Sequence, residues 1–268
     1  MSTKCTPILS KVTMDYQITN SEPFYSVGQA REYSWEPGEP ARYKQLQTQL
    51  GSDWYYNNCE ELITCTNRLG YRSTTVVPPT VGDYFIMCGC SNVFGQYLHE
   101  QHRASNRVEQ ATGVPVINLG ILGGGANMVA MNMQKLWFSN YQKPRAIIVQ
   151  WPAIHRMAFP SEDVECRLVH IDIARENSGG VQETHASEYL LRHEGVYENQ
   201  AHHAFHMVNS LGVPVINFAI LEDIAEFYDI PRVRFVSAQD DRARDNLHGG
   251  RLMNKQIYKH IMKELNTV

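Results

Sequence analysis

From Asp83 to the C-terminus, short apolar runs of strand length alternate with longer stretches of helical length, and few architectures accommodate that alternation. Strands read at Tyr84–Cys88, Val114–Asn118, Ala146–Gln150, Val213–Phe218 and Arg234–Val236. Helices read at about Phe94–Thr112, Ala126–Asn140, Ser187–Leu211, a short one from Glu222, and Gly250–Leu265. Strand–helix–strand units of this kind build a parallel sheet with helices packed on both faces. The expectation is therefore an α/β protein with a three-layer, doubly wound, about five-stranded parallel sheet. Gly-Val-Pro-Val-Ile-Asn occurs twice, at 113–118 and 213–218, which reads as two strands entering one buried sheet rather than as a repeat architecture. Sites in such sheets collect at the carboxyl ends of the strands.

Residues 1–82 read differently, as an irregular N-terminal extension to an α/β domain at 83–268. They are rich in Tyr, Thr, Asn and Pro and end in Thr75-Val-Val-Pro-Pro-Thr-Val-Gly82. The paired prolines remove two donors and restrict the residues before them, so this stretch reads as an extended linker or edge. Short helices are expected at Ala41–Leu50 and Cys59–Asn67. Residues 157–186 read as an insertion after the third strand, with a loop at Ser178-Gly-Gly180.

Bulk properties exclude several function classes. The net charge of −4, with no run of Lys and Arg, argues against nucleic acid as a partner. No stretch approaches the roughly 18 apolar residues of a membrane span. The N-terminal residues lack the apolar run of a signal peptide, which points to the cytoplasm, with a virion or phage-infected host cell as the alternative. The six cysteines (Cys5, Cys59, Cys65, Cys88, Cys90 and Cys166) then read as free thiols, and their spacings are wrong for the usual zinc sites. Oligomeric state has no signature here.

Two segments at the expected strand ends carry chemistry. Asp83-Tyr-Phe-Ile-Met-Cys-Gly-Cys-Ser-Asn-Val-Phe-Gly95 is an apolar strand that breaks at Gly89 and presents Ser91 before a helical stretch. Asp245-Asn-Leu-His248 places a carboxylate and an imidazole three residues apart, before Gly249-Gly250 and the last helix. A serine hydroxyl becomes a nucleophile when a base takes its proton and a third group orients that base. Ser91, His248 and Asp245 supply those three parts, although Ser91 also suits a turn and Asp240 and Asp241 are competing acids.

These segments resemble the SGNH, or GDSL-type, hydrolase superfamily of esterases and lipases, whose fold is flavodoxin-like. The turn Gly89-Cys90-Ser91 corresponds to that family's Gly-Asp-Ser, with Cys90 in place of the acid. Asn118-Leu-Gly-Ile-Leu-Gly123 looks like its second block, and Asp245 with His248 looks like its last. Thr66-Asn-Arg-Leu-Gly-Tyr-Arg72 is similar to a lead-in of some microbial and phage members. The resemblance implies hydrolysis of a small-molecule or glycan ester without cofactor or metal, with Ser91 as nucleophile, His248 as base and Asp245 as its partner. It further implies that the NH groups of Ser91 and Gly123 form an oxyanion hole. The family's third block carries an Asn donor near the position of Ile154, and Asn127, Gln150 or His155 are the candidates to replace it. Asn127, His155 and Arg156 are candidate substrate contacts, Arg156 equally a salt-bridge partner for the insertion. The alternative function is a catalytically silent module of this fold that binds glycan or assembles with other proteins.

Two further motifs have plainer readings. Gly120-Ile-Leu-Gly-Gly-Gly125 lacks the acid about 20 residues on that a dinucleotide site requires. His202, His203 and His206 have no Glu between them, as a zinc protease helix would, and read as a solvated or core-edge helix.

Overall fold

The computed structural model describes residues 23–25, 31–33, 39–52, 54–56, 64–73, 78, 82–160, 168–172, 194–234, 243 and 248–267. Strand β1 (Arg31–Tyr33) pairs antiparallel with β2 (Thr64–Thr66), and α1 (Glu39–Leu50) lies between them in sequence. The domain then runs β3 (Phe85–Gly89), α2 (Ser91–Phe94), a 3-10 turn (Glu100–His102), α3 (Ala104–Thr112), β4 (Val116–Gly120), α4 (Ala126–Trp137) and β5 (Ala146–Gln150). A hairpin of β6 (Arg156–Pro160) and β7 (Leu168–Asp172) follows, then α5 (Glu194–Asn209), β8 (Val215–Phe218), α6 (Glu222–Tyr228) and α7 (Arg251–Leu265).

The central sheet is parallel throughout, in the order β4-β3-β5-β8. Successive side chains of a strand point to opposite faces, and here each face is covered. Ile86, Cys88, Ile117, Leu119, Ile147 and Val149 pack beneath α4, α5 and α6. Phe85, Met87, Val116, Ala146, Ile148 and Phe218 pack beneath α3 and α7. Burial on both faces explains why these strands are continuous apolar runs rather than alternating ones.

Three local expectations change. The helix expected at Cys59–Asn67 is replaced, where the structure describes it, by β2: its two threonines are β-branched and suit the extended partner offered by β1. The single helix expected over Phe94–Thr112 is broken, because Gly95 takes a left-handed conformation (φ 74°) and so does Tyr97 (φ 58°). At Arg234–Val236 the described Arg234 is not a strand residue. The chain instead meets the edge of β8 two residues earlier, at a parallel bridge between Ala219 and Arg232, and residues 235–236 lie outside the described set.

Residues before the sheet join the same core. Phe24, Leu69 and Tyr71 are buried with the α4–α5 face. The Asn67 side chain organises its own turn, accepting from the Leu69 and Tyr71 NH groups and donating to the Ser73 carbonyl. Arg72 is buried and donates to the carbonyls of Gly95 and Leu98 (the latter at 2.6 Å) and to Glu100. Arg103 completes the cluster by donating to Glu100 and to the Arg72 carbonyl.

Partial burial would raise the Glu100 carboxyl, but the charges of Arg103 and Arg72 outweigh it and hold the group below its ordinary value of 4.5. A carboxyl depressed in the folded state adds stability above its unfolded pKa and loses it as pH falls through the folded one. The thermal midpoint of the wild type should therefore exceed that of Glu100→Gln most near neutral pH, and the gap should narrow below about pH 4. Thermal denaturation followed across pH measures this, and a gap that widens in acid would refute the assignment.

Candidate active site

Ser91 stands at the first position of α2, immediately past the carboxyl end of β3, one of the two central strands. The turn that puts it there depends on glycine. A side chain at Gly89 would meet Val93 Cγ2 at 2.7 Å and the Gln150 carbonyl at 2.8 Å, so the chain can pass there only without a Cβ. A Cβ at Gly120, at the end of β4, would overlap the Phe94 nitrogen and the Val93 carbonyl carbon. The helix bearing Ser91 thus rests directly on a glycine backbone. Gly120→Ala should displace α2 and cost about 1–3 kcal/mol by overpacking, read as a lowered urea midpoint.

His248 arrives from the other end of the chain, just ahead of α7, and its Nε2 lies 2.8 Å from Ser91 Oγ. Ser91 is 8% exposed, so the hydroxyl is nearly covered while the imidazole is half-buried. Tyr97 sits beside the imidazole, with ring centroids 6.2 Å apart. Asp245 lies outside the described residues.

Three asparagines tie these parts together. Asn118 is buried and donates to the Val93 carbonyl at 2.7 Å and to Ser105 Oγ at 3.0 Å, while its oxygen accepts from the Gly120 NH. It therefore clamps α2 to β4 and α3. Asn254 of α7, also buried, donates to the Gly249 and Gly250 carbonyls and accepts from the Ala104 NH. Asn92 Oδ1 accepts from the Gly249 NH at 3.4 Å, linking the helix of Ser91 to the turn after His248. Sequence reasoning did not find Asn254 or Asn92, whose partners are far away in the chain and leave no local pattern.

Around Ser91 the backbone offers unused donors. Among the described residues, neither the Ser91 NH nor the Gly123 NH has an acceptor, the first because the opening NH groups of a helix have no intrahelical partner. Gly123 takes a left-handed conformation (φ 72°) in the loop after β4. That loop runs alongside the nucleophile turn, since the Ile121 NH donates to the Gly89 carbonyl at 3.0 Å. The Arg156 backbone lies against Gly125, which brings the loop after β5 to the same place. His155 is half-buried in that loop, Arg156 is half-buried where β6 begins, and Asn127 is half-buried in the first turn of α4.

Cys90 is buried and faces Gln150, whose Nε2 lies 3.3 Å from the sulfur. Of the candidates to replace the missing Asn, Gln150 therefore already has a partner beside the turn. Ile154 is half-buried and packs on the α4–α5 core. On the other flank, Trp54 and Tyr56 pack with Tyr43 and Leu46 of α1 against Tyr97, Leu98 and Ala243, so these aromatic residues border the site. His202 and His206 are exposed on α5, with His202 stacked on Phe227 at 4.2 Å.

Fold and site together define a three-layer α/β protein with a serine–histidine pair at the carboxyl edge of its sheet. Neither a protein-family model nor a curated protein sequence matches this chain. Among solved structures it is similar to a member of the lipolytic G-D-S-L family from Veillonella parvula, at 11% identity over 70% of this chain and 100% of that one, with a TM-score of 0.44. It is also similar to an acetyl xylan esterase from the rumen bacterium Butyrivibrio proteoclasticus, at 11% identity over 70% of this chain and 65% of that one (TM-score 0.44). A carbohydrate acetylesterase family member from Sinorhizobium meliloti gives 10% identity, coverage of 69% and 98%, and a TM-score of 0.39. At such identities the likeness is one of chain path, and the chemistry rests on the residues themselves.

Proposed function

We propose that this chain is a serine esterase or deacylase of the SGNH type that hydrolyses O-acyl esters, with sugar acetates as the first substrate class to test. The observation that carries this reading is the 2.8 Å contact between Ser91 Oγ and His248 Nε2 at the carboxyl edge of the sheet. With its proton on Nδ1, the imidazole accepts the serine proton at Nε2 as Oγ attacks the ester carbonyl. The same proton then passes to the leaving alcohol, and an acyl group remains on Ser91. Water, deprotonated by His248, repeats the attack and releases the acid. Asp245 is assigned the role of holding Nδ1–H. The NH groups of Ser91 and Gly123 are assigned to the oxyanion, and Asn127, His155 and Arg156 to the substrate rim. No cofactor enters this scheme.

The reading is tested by treating the protein with a fluorophosphonate and mapping the adduct by mass spectrometry. Stoichiometric phosphonylation of Ser91, together with release of acetate from an acetylated sugar, is the expected result. Absence of both would leave a catalytically silent binding module.

Ile154→Asn should fail to raise turnover. Ile154 packs on the core, so the substitution should remove apolar contact and cost roughly 1–2 kcal/mol. The esterase assay and thermal denaturation of this variant read the two effects separately. A faster enzyme of undiminished stability would show that this position faces the oxyanion.

A further inference from the structure

Beyond β8 the tertiary structure assembles a basic hollow that the sequence does not display as a run. The chain from Arg232 to Arg234 is extended along the sheet edge, where the Val233 NH donates to the Ala219 carbonyl at 2.8 Å. Residues two apart on an extended segment point to the same side, so Arg232 and Arg234 form one row of cations. Opposite them, Gln256, Lys259, His260 and Lys263 recur at helical spacing on one face of α7. These residues and Val233 line a hollow of about 520 Å³. Among the described residues two carboxylates accompany them: Glu222 pairs with Arg232 at 2.7 Å, and Glu264 lies 3.9 Å from Lys263. Among the described residues, Arg234 and Lys259 have no carboxylate partner.

The His260 ring, edge-on against Phe218 with centroids 5.6 Å apart, completes the lining.

We propose that this hollow binds a small ligand carrying two adjacent phosphoryl groups, a diphosphate ester or pyrophosphate. Charge selects the chemistry: Arg232, Arg234, Lys259 and Lys263 bring four cations to one hollow against two carboxylates, and their long side chains can converge on a ligand that carries several negative charges in a small volume. Gln256 to Lys263 lie about 8–18 Å along α7 from the helix end beside His248. The hollow is thus a second site, and its occupation does not depend on the esterase reading.

Isothermal titration of the full chain with sodium pyrophosphate, at about 0.15 M ionic strength, tests this. Saturable one-to-one binding is expected, tighter than that of orthophosphate or sulfate at equal ionic strength. Arg234→Gln and Lys259→Gln, both exposed and without ion pairs, should each weaken it by roughly tenfold, the effect of one charge-assisted contact. Ser91→Ala should bind as the wild type does. Absence of saturation, equal binding of sulfate and pyrophosphate, or unchanged affinity in both Gln variants would each overturn the proposal. A short single-stranded oligonucleotide that bound more tightly than pyrophosphate through Arg234 and Lys259 would also overturn it, in favour of a nucleic-acid surface.

Discussion

Ser91→Ala should reduce hydrolysis of a short-chain activated ester by about 10⁴–10⁶-fold in kcat. The loss belongs to the rate constant, because the hydroxyl forms its bond to the acyl carbon only as the reaction proceeds. A residual rate should remain, since the backbone NH donors survive the substitution. Among the described residues the side chain makes one hydrogen bond, to His248, whose net worth is about 0.5–1.5 kcal/mol. The thermal midpoint should therefore move by no more than about 1–6 °C. His248→Ala should give a loss of similar size, and combining the two should add little, because the pair works as one unit. Steady-state kinetics and circular dichroism of the three variants supply the measurement. Ser91→Ala with wild-type turnover would place the nucleophile elsewhere.

Arg72→Ala should produce the largest loss of stability. The guanidinium is 1% exposed and satisfies two loop carbonyls and one carboxylate oxygen. Truncation removes the Arg72 donor from the Gly95 and Leu98 carbonyls, of which Gly95 keeps the Leu98 NH, opens a cavity and removes one of the two cations that face Glu100. Leaving the buried Leu98 carbonyl unpaired costs about 1–3 kcal/mol and losing the bond to Gly95 about 0.5–1.5 kcal/mol more, which in a chain of this size lowers the thermal midpoint by roughly 3–18 °C. Turnover should also fall, because the 95–98 segment held by Arg72 carries Tyr97, the neighbour of the His248 ring. Arg72→Lys should recover only part of both losses, since an ammonium cannot span the three acceptors that the planar fork reaches. A change in midpoint below about 2 °C would mean that the cluster is not a structural tie.

The four strands of the sheet were legible because a strand buried on both faces announces itself by its composition. The amphipathic helices around them were legible from period. Helix endings were harder to place. The helix expected from Phe94 to Thr112 contained no proline, and its interruption follows from Gly95 turning left-handed so that the Arg103 side chain can lie against it; a Cβ there would sit 2.6 Å from that side chain. Arg72 shows the same limit, since nothing in Gly70-Tyr-Arg72 indicates that the guanidinium ends under a loop more than 20 residues away.

Sequence by itself determined the alternation of strands and helices and the presence of a serine after a strand and of a carboxylate and an imidazole ahead of the last helix. Tertiary structure alone decided that Ser91 and His248, 157 residues apart, meet at 2.8 Å. It alone recruited Asn254 and Asn92 to hold the turn beside His248, gave Cys90 to Gln150, and faced Arg232 and Arg234 with Lys259 and Lys263. The physical reason is the range of the forces involved. Period and propensity act between residues a few positions apart and leave a pattern in the chain. A side-chain hydrogen bond or a cluster of like charges depends on which elements the core brings together, and nothing in the local sequence records that partner.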